Sequence, residues 1–131
     1  MTAKLSDAEI KLIERKNFGY LATLNADGSP QVTPVWVDRE GDTILVNTAE
    51  GRVKQKNLRR DPRVALAVAD QNNPYNRTTI RGKVIEQTNA GADAHIDKMA
   101  KKYIGQDKYP WRAPGEKRVI LKIEPQRITT A

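Results

Sequence analysis

Two runs of β-branched and aromatic residues, 18–25 (FGYLATLN) and 31–38 (QVTPVWVD), flank Asp27-Gly28, a dipeptide that accepts the positive φ of a tight turn. That hairpin constrains the chain more than any other feature, because the same texture returns at 43–48 (TILVNT), 63–70 (RVALAVAD), 78–87 (TTIRGKVIEQ) and 118–123 (RVILKI). Pro34 has no N–H to complete a ladder, which puts it at an edge, at a bulge, or beside something other than a strand. Gly82 marks a kink or bulge within its run. Residues 39–42 read as a turn, and 71–76 and 109–115 as loops.

Three helices separate the strands. Ser6-Asp7-Ala8-Glu9 has the form of a capping box followed by Ile10 and Ile13, which predicts a helix over 6–17. Residues 50–60 form a short basic helix that stops before Asp61-Pro62, since the residue preceding a proline avoids the helical region. Ala92, Ile96, Met99, Ala100 and Tyr103 recur at helical spacing and place a third helix over 90–104. The order α-βββ-α-ββ-α-β, with hairpin-type connections, predicts a mainly β fold in which a small antiparallel barrel is plugged by helices.

At 131 residues the chain has room for one domain, 1–131. Hydrophobic residues at 38% and charged residues at 30% exclude a disordered or collagen-like chain. No run approaches the roughly 18 apolar residues that span a bilayer, and MTAKLSDAEI lacks the apolar core of a secretory signal, so a cytoplasmic protein with no membrane partner is expected. Without cysteine there is no disulfide and no thiolate chemistry, and the single histidine, His95, leaves no zinc cluster; no metal is expected, and His95, near the edge of the apolar stripe of its helix, reads as structural or exposed rather than catalytic. With no paired carboxylates, no G-x-S-x-G and no G-x-G-x-x-G, catalysis would have to come with a cofactor.

Charge narrows the partner. Lys plus Arg total 23 and Asp plus Glu 16, a formal net charge of +7 that attracts anions. The cations concentrate where strand 43–48 ends at Thr48, Gly51 turns the backbone, and Arg52 and Lys54 enter the first turn of the next helix. Free N–H groups and the positive end of the helix dipole favour phosphate at such a place. Arg52 can bind it in a fork and Lys54 as a point charge, while Lys56, Arg59 and Arg60 extend the positive surface. A solvated basic face is the competing reading, and the strand-glycine-helix placement favours the site. Nucleic acid is not expected as a partner, because one Phe, two Trp and four Tyr give no basic-aromatic interleaving. Trp36 has two open roles, core or wall beside a flat ring. Trp111 and Arg112 either reach over a ligand or a subunit neighbour, or anchor their loop.

In this order and spacing, GYLATLNADGSPQVTPVWVD, TILVNTAEGRVKQKNLRRDPRVALAV and PGEKRVILKIEPQRI resemble the split β-barrel flavin and deazaflavin oxidoreductases, the pyridoxamine 5'-phosphate oxidase-like superfamily. A-T-L-x-x-D-G-x-P-Q followed by R-x-K-x-x-N-L-x-R-D-P-R-V is most similar to the branch that uses coenzyme F420, a deazaflavin with a phospholactyl-oligoglutamate tail. The resemblance implies a six-stranded antiparallel split barrel, flanking helices, and a homodimer with the cofactor between subunits. It implies that Arg52 and Lys54 bind phosphate with Asn57 close behind, and that Thr48 faces that phosphate. Gln31, Thr33, Pro34, Val35 and Trp36 would run along the ring system, and Thr78 and Thr79 would come from the partner subunit. The implied activity is that of an F420-dependent oxidoreductase passing a hydride to an unsaturated organic substrate, work that needs two oriented planes and no protein nucleophile. FMN in place of F420, or a non-catalytic F420- or FMN-binding protein, are the alternatives. A positive cleft suits a phosphate with glutamates better than the single phosphate of FMN. The chain is shorter than the pyridoxamine phosphate oxidases proper and lacks their long C-terminal substrate region, which argues against pyridoxamine oxidation. Residues 72–76 and 109–115 are the loops expected to line the substrate pocket.

Overall fold

In the computed structural model, which describes residues 2–130, the strands form one antiparallel sheet. The chain runs α1 (Asp7–Glu14), β1 (Gly19–Leu24), β2 (Pro30–Val35), β3 (Asp38–Glu40), β4 (Thr43–Ala49), α2 (Val53–Arg60), β5 (Arg63–Asp70), β6 (Asn73–Thr88), α3 (Ala92–Ile104) and β7 (Arg118–Thr130). Sheet order is β2-β1-β5-β6-β7-β4-β3. Its two end strands, β2 and β3, are neighbours in the chain, separated only by Trp36 and Val37. The sheet therefore rolls into a barrel closed there by covalent chain and split in its hydrogen bonding.

Among the described residues there are seven strands, which corrects the expected six. The run 31–38 does not continue as one strand because the Val37 N–H donates to the Tyr103 hydroxyl at 3.0 Å instead of to a ladder. Beyond that break the chain pairs with β4, Asp38 opposite Leu45 and Glu40 opposite Thr43, turning at Gly41 with φ 62°. Pro34 stands on the end strand β2, where a missing N–H leaves no second neighbour unpaired.

The other departures lengthen strands. Residues 73–76, expected as loop, begin β6, and β7 continues well past 123. Each extension comes with a register shift: Asn73 pairs with Asp70 of β5 past a shift between Ala69 and Asp70, and the register of β6 on β7 shifts between Arg81 and Gly82 and again between Val84 and Glu86. Gly82 is needed at the first of the β6–β7 shifts, because a Cβ there would collide with the Glu124 carbonyl.

Local signals at α1 hold. Ser6 Oγ accepts from the Glu9 N–H at 3.2 Å, and the Ser6 N–H donates to Glu9 Oε1 at 2.8 Å, the reciprocal capping box. Leu12 and Ile13 of α1 and Leu58 of α2 join the barrel core of Leu21, Val46, Leu66, Val68, Ile80, Leu121 and Ile123. α3 lies outside the barrel. Its Ala92 packs with Leu45 and Ile120, while Ile96, Met99 and Tyr103 pack against Trp36 and Tyr109. No helix among the described residues is long and apolar enough to cross a membrane.

Candidate functional site

A cavity of about 230 Å³ opens where three elements converge, the end of β2, the start of α2 and the packed face of α3 at Ile96. Gly51, at φ 90°, delivers the chain into α2. Arg52 is the N-cap, its side chain makes no capping bond, and the first turn contains no acid. The positive helix end is therefore not neutralised from within the helix.

Three cations reach the cavity: Arg52, Lys54 and Arg118. Arg52 is half-exposed, while the Arg118 side chain is only 2% exposed. Burial, and then the neighbouring Arg52 and Arg118 charges, hold Lys54 below the ordinary lysine range. A lysine under that strain gains by acquiring an anionic neighbour. Burial likewise lowers Arg118, and Glu116 opposes the shift. Glu116 Oε1 lies 3.2 Å from both Arg52 Nη2 and Arg118 Nη1. Arg118 Nη1 is close enough for an ion pair yet has no aligned hydrogen-bond acceptor, although it is buried.

Arg118 is held from the other side. Its Nε–H donates to Asn47 Oδ1 at 2.9 Å, and Asn47 Nδ2 donates to the Ala92 carbonyl at 2.9 Å and lies 3.0 Å from His95 Nδ1. An acceptor-only carbonyl and a donor-only guanidinium determine which way the Asn47 amide faces. His95 Nδ1 is then the acceptor, and His95 Nε2–H donates to Asp38 Oδ2 at 3.0 Å. Of the two roles open to it from the sequence, structural or exposed, His95 takes the buried one, with both ring nitrogens engaged.

Beside the cations stands an aromatic wall. Trp36 stacks on Tyr103 with centroids 5.3 Å apart and planes 4° apart, and Tyr109 meets Trp36 edge-on at 6.1 Å. Trp111 lies 6.4 Å from Trp36 and 5.8 Å from Tyr109. Phe18, Pro34, Val35 and Ile96 complete the apolar lining. Flat faces next to clustered cations fit a planar ring with an anionic handle.

A larger hollow of about 470 Å³ lies between α3 and the β3, β4 and β7 strands. Its wall balances Arg39, Lys98 and Lys122 against Asp38, Glu40 and Glu86, with Lys98 paired to Asp38 and Lys122 to Glu86. The smaller cavity has three cations and no acid in its wall, and it is the candidate site.

Of the residues singled out from sequence, Arg52, Lys54, Pro34, Val35 and Trp36 line this cavity together. Gln31, Thr33, Thr48, Asn57, Thr78 and Thr79 lie outside its wall. Asn57 is buried, its Nδ2 donating to Thr23 Oγ1 and Asn25 Oδ1, both at 3.0 Å. Thr48 is buried on the face of β4 that carries Ile44 and Val46, and its hydroxyl, like that of Thr33, has no hydrogen-bond partner. Gln31 Oε1 sits 3.4 Å from Thr23 Oγ1. Thr78 is fully buried against Thr130, whereas Thr79 is exposed. Residues 72–76 are not part of the wall, but the loop 109–115 contributes Tyr109 and Trp111. Arg112 instead pairs with Asp93 and Asp97 on α3, anchoring that loop.

Phe18, Asn47 and Arg118 are the polar and aromatic contributors that sequence reasoning missed, while Tyr109 was foreseen only as part of the loop 109–115. Arg118 opens a strand of apolar residues, and an arginine on the covered face of a strand is itself a signal, since arginine is rarely buried unpaired.

The protein is thus an antiparallel split barrel with a cationic, aromatic-walled cavity at the start of its second helix. The profile of the pyridoxamine 5'-phosphate oxidase family matches residues 5–131, and the chain belongs to that family. Among solved structures it is similar to an F420 reductase, at 29% identity and a TM-score of 0.83, over 95% of this chain and 98% of the other. It is also similar to a conserved hypothetical protein of Mycobacterium tuberculosis, at 25% identity and a TM-score of 0.70, over 95% of this chain and 82% of that one. A Listeria innocua protein described as a candidate pyridoxamine 5'-phosphate oxidase shares the fold at 19% identity, with a TM-score of 0.70 and 92% of each chain covered.

Proposed function

We propose that the protein is an oxidoreductase that binds coenzyme F420 and passes a hydride from the reduced deazaflavin to an unsaturated organic substrate. The observation that carries this reading is the convergence of Arg52, Lys54 and Arg118 beside Trp36, Tyr109 and Trp111 in one cavity. Family membership and the likeness to an F420 reductase support it. When bound, the reduced deazaflavin supplies the hydride, and a proton from solvent completes the reduction.

The protein's own part is to bind, orient and exclude water. Arg52 and Lys54 hold the phosphate at the α2 terminus, with Arg118 as a rigid interior cation. Trp36, Tyr109 and Trp111 present apolar faces that set the plane of the ring and keep water from it. Lys56, Arg59 and Arg60 on the exposed side of α2 offer charge to the glutamate tail.

The site is completed by a second copy of the chain. The outer face of the sheet aligns Tyr20 with Pro34 and Ala67, Ala22 with Val32 and Ala65, and Leu24 with Pro30. Tyr20 and Val32 are 49% and 63% exposed on this apolar face. It continues into the cavity rim at Phe18 and Pro34, and Thr79, opposite Ala67, lies on it.

Fluorescence titration of the purified protein with F420 and, separately, with FMN tests the reading. Saturable F420 binding is expected, with weaker FMN binding. Saturable FMN binding and none for F420 would overturn the cofactor choice. Oxidation of bound reduced F420 by some member of a panel of enones and quinones separates catalysis from storage.

A further inference from the structure

Glu116 is the acid at the cation cluster, and it stands behind the cations rather than in the cavity wall. Its carboxylate bridges Arg52 and Arg118, each at 3.2 Å, with 8% of its side chain exposed. On its other side it borders a separate small hollow with Asn89, Asp93 and Lys117. Glu116 Oε2 is buried without a hydrogen-bond partner. The two arginines engage Oε1 alone, and with so little of the side chain exposed its field reaches the cavity through protein rather than water.

We propose that Glu116 determines specificity at the phosphate subsite, biasing it toward a phosphodiester monoanion and against a phosphomonoester dianion. The inference rests on the reading of the cavity as a phosphate-and-ring site, and it names the phosphate class that site takes. Coulomb energy is linear in ligand charge, so a given carboxylate repels a dianion twice as strongly as a monoanion in the same place. A phosphomonoester carries a charge of about −2 at pH 8, well above its second pKa of about 6, whereas a diester keeps a single charge. The handle of F420 is a diester and that of FMN a monoester. Three cations without Glu116 would reward the monoester, and with Glu116 that reward shrinks.

Glu116 also holds both guanidinium groups in place, so its loss has a structural cost as well. The two roles leave different signatures. Misplaced arginines would weaken the dianion more than the monoanion and so lower the monoester preference, whereas removal of the carboxylate charge raises it.

The test is calorimetric titration of the full-length protein at pH 8 with phenyl phosphate and methyl phenyl phosphate, with thermal melts monitoring the fold. Relative to the natural protein, Glu116→Gln should improve diester binding about threefold and monoester binding about tenfold. The monoester-to-diester preference thus rises about threefold, and the rise shrinks with added salt. Glu116→Asp, which keeps the charge, should leave the preference unchanged. If Glu116→Gln does not fold, Glu116→Ala removes the same charge while admitting water to the two arginines. An unchanged preference in a folded charge-free variant overturns the role of Glu116 alone. Failure of both probes to bind the natural protein overturns the phosphate site itself, and the role of Glu116 with it.

Discussion

The Tyr103 ring lies flat against Trp36, with centroids 5.3 Å apart and planes 4° apart, and its hydroxyl is locked at the same time. That hydroxyl donates to the Asn17 carbonyl at 2.6 Å and accepts from the Val37 N–H at 3.0 Å. Burial pushes its pKa up to about 12, so it remains a donor throughout the working range. One tyrosine of α3 thus ends β2, joins the barrel to the helix and backs the aromatic wall of the cavity.

Tyr103→Phe tests this joint. It strands a buried carbonyl and a buried N–H, so stability should fall by about 1–3 kcal/mol. Urea denaturation measures the loss, and F420 affinity should fall as well because Trp36 loses its fixed backing.

Trp111 is 62% exposed and belongs to a loop, so its removal exposes little core. Trp111→Ala should change stability by less than about 0.5 kcal/mol yet weaken ring binding by about 0.5–1.5 kcal/mol through lost stacking. Equal F420 quenching curves for the two proteins would remove Trp111 from the site.

Arg52→Ala and Lys54→Ala should each weaken cofactor binding by about 1–3 kcal/mol, as expected for charge-assisted hydrogen bonds. pH adds a sign. Lys54 titrates below its ordinary value of 10.5 in the folded protein, so binding that needs its charge declines as pH rises through that lowered value. Bound phosphate raises the Lys54 pKa, and proton uptake on binding should be measurable on the alkaline side. Stability of the free protein moves the other way. Between the lowered folded value and 10.5 the unfolded chain holds more protons, so the Lys54 contribution to stability increases with pH there.

Val32→Glu places a charge in the middle of the exposed apolar face of β2. Sedimentation should show a dimer for the natural protein and a monomer for the variant, with the melting temperature of the barrel little changed at equal concentration. A monomeric natural protein would remove the second copy from the site.

Gly82→Ala should destabilise the barrel by about 1–3 kcal/mol, because the new methyl meets the backbone carbonyl of Glu124, which cannot rotate away as a side chain would. Denaturant midpoints report it.

How far residues alone led depended on the range of the interaction. The capping box at Ser6 and Glu9, the turn at Asp27-Gly28 and the stop before Pro62 are set within a few residues, and each stands where the sequence places it. The third strand was not legible, since β2 ends because of a hydroxyl 66 residues away in the chain. Nor was the full length of β6 and β7, whose bulges depend on pairing with each other.

The candidate site divides along the same line. Arg52 and Lys54 could be singled out because strand, glycine and helix follow one another directly, and Pro34, Val35 and Trp36 because the resemblance places them beside a ring. Arg118, Asn47, Tyr109 and Glu116 come from remote segments, and no local pattern tells which of many charged and aromatic residues will meet. The sequence by itself determined the helix caps, the turns, the strand texture and a cationic helix start, because these depend on backbone sterics and nearest-neighbour hydrogen bonds. Only the tertiary structure decided that the cations gather at an aromatic wall with one buried acid behind them. Burial and charge proximity are properties of packed surfaces, and they do not exist until the barrel closes.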